Sequence, residues 1–381
     1  MSEFSFEALR RHPDLEAPNL FASDASDRLI LDEAAHALEA AAPGEVVVVG
    51  DDYGALTLGA IALHGCRGIR VHQDSLLGEL ALAANARALG LEAEFASHAL
   101  DEQLLAGARV VLMQLPRSLA EIDEWSQAIA RYARESVTVY AGGRLKHMTP
   151  AMNEVFARSF AEVQATRARQ KSRALIVSQP RRPADEPRFP VTTRLERPPI
   201  VVSAHGGAFA GATLDIGTRF LLDFLPEMLP RARDAIDLGS GTGVLAAALA
   251  VARPQLAVVA VDHSAAAVAS ARETMLANGL ADRVAVVRED ALDGRPDASA
   301  DLIVCNPPFH SGSAVHAGVA LRMLADAGRV LRPGGELWTV FNTHLGYRAA
   351  LERTVGQTRI AGRNPKFTVT VSRRAREPES R

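Results

Sequence analysis

Asp237-Leu238-Gly239-Ser240-Gly241-Thr242-Gly243 follows a short apolar run, Asp234–Leu238, and leads into an Ala-rich one, Val244–Ala252. A strand passing through three spaced glycines into a helix is a tight βα turn. Glycine permits the left-handed backbone such a turn needs and lets a ligand lie close to the main chain. Outward from this loop the alternation continues. Leu256–Val261 reads as a strand ending at Asp262. A helix follows, with Ala265, Val268, Ala269 and Met275 spaced for one face. Val284–Val287 is a third strand that ends near Asp290. Asp301–Cys305 is a fourth, running into Asn306-Pro307-Pro308-Phe309. A helix over Ala314–Val330, a Pro333-Gly334-Gly335 turn and a strand over Glu336–Asn342 complete the half. The pattern predicts an α/β fold with a parallel, doubly wound sheet.

The N-terminal half repeats the plan. Strands are expected at Val46–Val49, Gly68–Val71, Val110–Met113 and Val137–Tyr140. Gly50 and Gly239 lie 189 residues apart, as do Gly90 and Gly279, while Gln114 and Asn306 lie 192 apart. Preserved order at a near-constant offset points to two tandem Rossmann-like domains from an internal duplication. The expected boundaries are 1–179 for the first domain, 180–199 for a linker and 200–376 for the second. The linker carries Pro at 180, 183, 187, 190, 198 and 199, a density that disfavours regular structure. Arg373-Arg374-Ala375-Arg376-Glu377-Pro378 reads as a frayed tail.

Composition sets outer limits. The 381 residues carry 42 Lys+Arg against 45 Asp+Glu, a net charge of −3, so the chain is not a globally basic nucleic-acid binder. A local basic patch is present. Between Arg167 and Arg197 stand nine basic residues, Arg167, Arg169, Lys171 and Arg173 among them, against three acidic ones. No apolar run approaches a membrane span, and the first residues lack the apolar core of a signal peptide. Two distant cysteines, Cys66 and Cys305, argue against a disulfide framework and for a reducing, cytoplasmic setting. No His/Cys/carboxylate spacing suggests a metal.

The chemistry gathers at one edge of the second sheet. Asp262, 25 residues beyond Asp237, ends the second strand, where a carboxylate can accept from both hydroxyls of a ribose. Asp290 ends the third, where an adenine amine would lie. Two successive prolines fix φ and supply no N–H donors, so the Asn306 turn offers acceptors: the Asn306 side-chain oxygen and the Pro307 carbonyl. Two adjacent acceptors suit a planar NH2 group, and Phe309 can stack on the ring that carries it.

The order Asp-Leu-Gly-Ser-Gly-Thr-Gly, acidic strand end, Asn-Pro-Pro-Phe resembles a class I S-adenosylmethionine-dependent methyltransferase acting on an amino nitrogen. Three more stretches sharpen the likeness: Asp215-Ile216-Gly217-Thr218-Arg219-Phe220, Phe309-His310 and Asn364-Pro365-Lys366-Phe367. With them the chain is similar to the bacterial ribosomal RNA guanine-N2 methyltransferases, both the small-subunit methyltransferase C type and the large-subunit methyltransferase G type. The resemblance covers the whole chain, most strongly 204–372, and the segment Met148–Ala174, read as a helix and a basic stretch, leans toward the large-subunit type. It implies S-adenosyl-L-methionine as cofactor, held by Asp237, Gly239, Ser240, Gly241, Gly243, Asp262, His263, Asp290 and Asn306. It implies guanine held by Asn306, Pro307, Pro308 and Phe309. Ribosomal RNA or a ribosomal subunit is the implied partner of a monomeric enzyme, met by Arg167, Arg169, Lys171, Arg173, His310, Arg363 and Lys366.

The first domain departs from this pattern. Gly50-Asp51-Asp52-Tyr53-Gly54 puts Asp52 at the middle glycine, where its side chain is expected to obstruct a cofactor. His72-Gln73 stands where Asp262 would align, and Gln114-Leu115-Pro116 replaces Asn-Pro-Pro. The first domain is therefore expected to be a degenerate site serving RNA binding and folding support. Other planar amines, adenine N6 or a protein glutamine amide, would fit the same turn. A non-catalytic RNA-binding assembly factor is the alternative of a different kind.

Overall fold

The computed structural model describes residues 4–182, 184–307 and 314–376. The chain divides into two compact lobes, Met1–Phe189 and Pro190–Arg381. The first lobe's strands are β1 (Val46–Val49), β2 (Ile69–His72), β3 (Phe95–Ser97), β4 (Val110–Gln114), β5 (Thr138–Arg144), β6 (Phe160–Ala165) and β7 (Ser172–Pro180). Its helices are α1 (Ala25–Glu39), α2 (Ala55–His64), α3 (Leu76–Leu89), α4 (Glu102–Leu105), α5 (Leu119–Tyr132) and α6 (Pro150–Ser159). The second lobe begins with a ribbon, β8 (Val191–Arg194) and β9 (Val201–Ala204). Its sheet has β10 (Asp234–Leu238), β11 (Ala257–Asp262), β12 (Val284–Arg288), β13 (Ala300–Cys305), β14 (Leu331–Asn342), β15 (Gly356–Arg363) and β16 (Phe367–Arg374). Its helices are α7 (Ile216–Leu222), α8 (Val244–Ala252), α9 (Ala265–Ala277), α10 (Ala314–Val330) and α11 (Arg348–Thr354).

The two sheets have the same strand order, β3-β2-β1-β4-β5-β7-β6 and β12-β11-β10-β13-β14-β16-β15. In each, the first five strands are parallel and the last two return as an antiparallel hairpin, so the all-parallel expectation is corrected at one edge. Parallel strands are buried on both faces and read as nearly unbroken apolar runs. In β10 and β13, alternate residues serve opposite cores: Ala235, Leu302 and Val304 on one side, Ile236, Leu238 and Ile303 on the other.

Three further expectations change. The segment Met148–Ala174 holds α6, all of β6 and the start of β7. Strand β6 was illegible because it is a short edge strand, exposed at most of its positions and so without a buried face to set a pattern. The stretch 180–199 is not a free linker. Pro180 belongs to β7, β8 lies within it, and the arginines before the lobe boundary pack on the first lobe. Arg181 donates to the Ala157 carbonyl at 2.7 Å and Arg182 to that of Ala130 at 3.1 Å. Arg188 pairs with Asp123 at 2.5 Å. Nor are Arg373 and Arg374 frayed: both lie in β16, where Arg373 pairs with the buried Glu336 at 2.5 Å.

Candidate functional site

Strand pairing brings the expected site together. Leu238 lies beside Val261 and Cys305, and Asp262 beside Arg288, so β10 to β13 end on one carboxyl edge. The order reverses at β10, with β11 on one side and β13 on the other, which opens a crevice at that edge.

The glycine loop is built by three left-handed residues, Gly239, Gly241 and Gly243, with φ of 73°, 53° and 78°. They serve different ends. A side chain at Gly243 would stand 2.9 Å from Met275 Cε and 3.0 Å from Ala271 Cβ, so this glycine lets α8 meet α9. A side chain at Gly241 would meet nothing within 4 Å, so this glycine leaves room. Asp262 pins the loop: its carboxylate accepts from Gly241 N at 2.9 Å and from Ser264 N at 3.0 Å. Asp237 is fully buried and its Oδ2 accepts from Ala246 N at 2.9 Å in the first turn of α8. Burial pushes its carboxyl up to about 7.

Asp237 Oδ1 and Ser240 Oγ at this edge are buried with no partner among the described residues. Native interiors rarely leave such groups unsatisfied. A ligand bearing an ammonium group and hydroxyls supplies what is missing, so the donor set fits S-adenosylmethionine. Asp290, assigned to the adenine, is half-buried and ion-paired to Arg322 at 2.8 Å. Burial raises its pKa and Arg322 opposes the rise. His263 is exposed at the crevice rim.

Asn306 follows β13 directly, and Pro307 behind it is buried. Both amide hydrogens of Asn306 are engaged: Nδ2 donates to Asp215 Oδ2 at 3.0 Å and to Thr218 Oγ1 at 3.0 Å. Its Oδ1 has no donor among the described residues. Pro308, Phe309 and His310 lie outside the described residues. Phe367 was missed as a neighbour of this turn: its ring lies 3.3 Å from where a Gly217 side chain would begin.

Apart from His310, the expected RNA contacts fall on the two hairpins. Arg363 and Lys366 are exposed at the β15–β16 turn, and Phe367 pairs with Asn342, so this tip sits on the carboxyl edge of the sheet. Asn364 shapes the tip, its side chain accepting from Lys366 N at 2.9 Å and Phe367 N at 2.7 Å. In the first lobe, Arg167, Arg169 and Lys171 are exposed at the β6–β7 turn, on the matching edge beside Arg144. Arg169 is partly neutralised by Asp32 at 3.3 Å and Glu33 at 3.5 Å, and Arg173 is half-buried.

The first lobe keeps the backbone and not the site. Gly50, Asp52 and Gly54 have φ of 73°, 52° and 100°, repeating the left-handed triplet. Asp52 is exposed. It is Asp51 that takes the helix end, its buried carboxylate accepting from Leu56 N at 2.7 Å and Thr57 N at 2.8 Å. Strand register makes Gln73, not His72, the counterpart of Asp262. A cavity of about 390 Å³ persists, lined by Gly50, Asp52, Gln73, Gln114 and Trp125.

The second lobe's glycine loop, acidic strand end and acceptor turn on a doubly wound sheet define a methyltransferase domain. The family described as Methyltransferase small domain matches residues 199–371, and that described as RLMG N-terminal domain matches 1–182. A ribosomal RNA large subunit methyltransferase G from Pseudomonas aeruginosa is 36% identical over 95% of this chain and 96% of its own length. One from Streptomyces coelicolor is 38% identical over 95% and 96%. The chain belongs to the ribosomal RNA large subunit methyltransferase G family. It shares its fold with the Thermus thermophilus 16S rRNA N2 G1207 methyltransferase, solved with AdoMet and guanosine (TM-score 0.72, 24% identity, 94% of this chain and 97% of that one).

Proposed function

We propose that the second lobe transfers a methyl group from S-adenosyl-L-methionine to the exocyclic N2 amine of a guanine in large-subunit ribosomal RNA. The observation that carries this reading is the turn at Asn306. The Asn306 oxygen, with no donor among the described residues, stands on the same strand edge as Asp237 Oδ1 and Ser240 Oγ, which are buried with no partner among those residues. The cofactor supplies an electrophilic sulfonium methyl. The chain supplies alignment, which can lower a barrier by roughly 7–11 kcal/mol at best. Gly241 leaves space, Asp237 and Ser240 take polar groups of the methionine end, and Asp262 takes the ribose with its remaining lone pairs. Asn306 Oδ1 and the Pro307 carbonyl accept the two N–H bonds of the amine, and so aim its lone pair. The nitrogen would gain the methyl as the methyl–sulfur bond breaks to leave a neutral thioether, and would shed a proton to solvent.

The guanine must leave its stack, at a cost of roughly a few kcal/mol in a duplex. The first lobe serves as an RNA-docking module that holds no cofactor, and the enzyme acts as a monomer in the cytoplasm. The exposed Arg167 and Lys171 of the first lobe, with Arg363 and Lys366 of the second, meet phosphates. Among the described residues no helix is long and apolar enough to cross a membrane. Nucleoside mass spectrometry of rRNA from strains with and without the gene tests the reading. N2-methylguanosine should fall by one site in the large-subunit RNA. Loss of an N6-methyladenosine instead, or of nothing, refutes it.

A further inference from the structure

The stretch Asp215-Ile216-Gly217-Thr218 precedes the glycine loop, and the transfer chemistry above leaves it without a task. In space it surrounds Asn306. We infer that Asp215 and Thr218 are positioning residues which fix the orientation of the Asn306 amide and increase the negative charge on its oxygen. The inference rests on the reading of Asn306 as the acceptor of the substrate amine.

A carboxamide has nearly the same shape when rotated end for end, but its two ends are opposite in hydrogen bonding. With oxygen toward the crevice, Asn306 accepts from an amine. With NH2 toward the crevice, donor faces donor and the substrate is repelled. Nothing in the Asn306 backbone selects between the two. The choice is made by Asp215 Oδ2, 3.0 Å from Nδ2; Thr218 Oγ1, also 3.0 Å away, accepts the second N–H and holds the orientation that Asp215 selects. An ionised carboxylate only accepts, so the rotated amide would place oxygen against oxygen. Asp215 is itself held, because Oδ2 also accepts from Thr218 N at 3.0 Å as the cap of α7. Gly217 completes the arrangement. A side chain there would begin 3.0 Å from Asp215 Oδ2 and 3.3 Å from the Phe367 ring, pressing on the carboxylate that holds Asn306. Its φ is not left-handed, so the demand is for space alone. Three residues of the stretch thus serve one amide.

The clamp also acts electronically. Donation to an anion draws the amide nitrogen's lone pair toward the carbonyl, and Oδ1 becomes a stronger acceptor. That gain is largest when the substrate amine carries developing positive charge, so it falls on turnover more than on binding.

The first lobe holds a counterpart without the chemistry. Gln114 Nε2 donates to Ser26 Oγ at 3.1 Å and Asp27 Oδ1 at 2.9 Å. There the carbonyl oxygen is buried with no partner among the described residues, so the first lobe's clamp holds α1 to β4 and presents no acceptor to solvent.

The test uses the full chain with rRNA and three variants. Thr218→Val keeps the shape and removes the acceptor. Asp215→Asn keeps the cap and removes the charge. Thr218→Ser restores the hydroxyl. The first two should lower kcat by about 10- to 100-fold, with KM for RNA and Kd for the cofactor within about twofold of wild type. Thr218→Ser should stay near wild type. In the cofactor-free protein, the slowly exchanging side-chain NH2 signal of Asn306 should shift and exchange faster in Thr218→Val. Unchanged kcat in both variants overturns the inference. So does a loss confined to cofactor Kd, or failure of Thr218→Ser to restore turnover. Should Asp215→Asn lower the melting temperature, the Val and Ser pair at 218 decides alone. A wild-type enzyme that modifies some other NH2 sinks the guanine reading and leaves the clamp standing. Guanine N2 methylation indifferent to both variants does the reverse.

Discussion

The two lobes share strand order, hairpin and left-handed loop, yet among the described residues the second alone has the glycine triplet, the strand-end carboxylate and the asparagine turn together. The differences are few: Asp52 for Gly241, Gln73 for Asp262, Gln114 for Asn306, and Asp51 on the helix amides in place of a strand carboxylate. Strand order and backbone φ are set by apolar burial and turn geometry. The chemistry rides on side chains that the core does not need. Hence a fold can persist after its site is lost.

The largest effect should come from importing the first lobe's residue into the second. The loop in which Asp52 sits at φ 52° shows that this backbone tolerates an aspartate, so Gly241→Asp should fold. Its carboxylate would fill the space that Gly241 leaves. Cofactor affinity measured by calorimetry should fall more than about 100-fold. Retained binding would break the comparison. Asn306→Ala comes next: turnover should be lost by about 100-fold or more with cofactor binding nearly intact. Near-normal turnover would remove Asn306 from the reaction.

A pH experiment sharpens the contrast. Burial raises the carboxyls of Asp51 and Asp237 alike to about 7. A folded value above the unfolded one means the native state holds the proton more tightly. The stability this gives is full below about pH 4 and lost as pH rises through about 7. In the second lobe an ammonium beside Asp237 reverses the preference. Cofactor binding should therefore release a proton near pH 7, and affinity should rise with pH through that range. Asp237→Asn should flatten the rise; a flat wild-type profile would detach Asp237 from the ammonium.

The hairpin tips give a smaller effect. Replacing Arg167 and Lys171 together by Gln should reduce the slope of log affinity for rRNA against log salt by about 1.4 to 1.8. Replacing Arg169, already paired with Asp32 and Glu33, should do less. Equal slopes for all variants would take the first hairpin off the RNA surface. The smallest effect is expected from Gln114→Leu, costing about 1–2 kcal/mol in chemical denaturation with kcat unchanged.

Much of this was legible in the sequence. The glycine loop, Asp262 and Asn306 each stand within a few residues of a strand end, and the 189-residue offset exposed the duplication. What stayed hidden depends on long-range pairing. Asp215 and Thr218 reach Asn306 across 91 and 88 residues, and Arg322 reaches Asp290 across 32. Local periodicity carries no signal for such pairs. The hairpin strands escaped for another reason. β6 is an exposed edge without a buried face, whereas Thr368, Val369, Thr370 and Val371 of β16 do alternate polar and apolar, a strand signal that was there to be read.

Asp51 has one more consequence. Its two bonds to the start of α2 give the altered loop a structural owner, so a single reversion at Asp52 would reopen space while that carboxylate kept its seat. Removing Asp51 in turn would strand two main-chain amides. Asp51, like Gln114 with its bonds to α1, has thus taken employment in the scaffold, so restoring a site in this lobe would cost it stability.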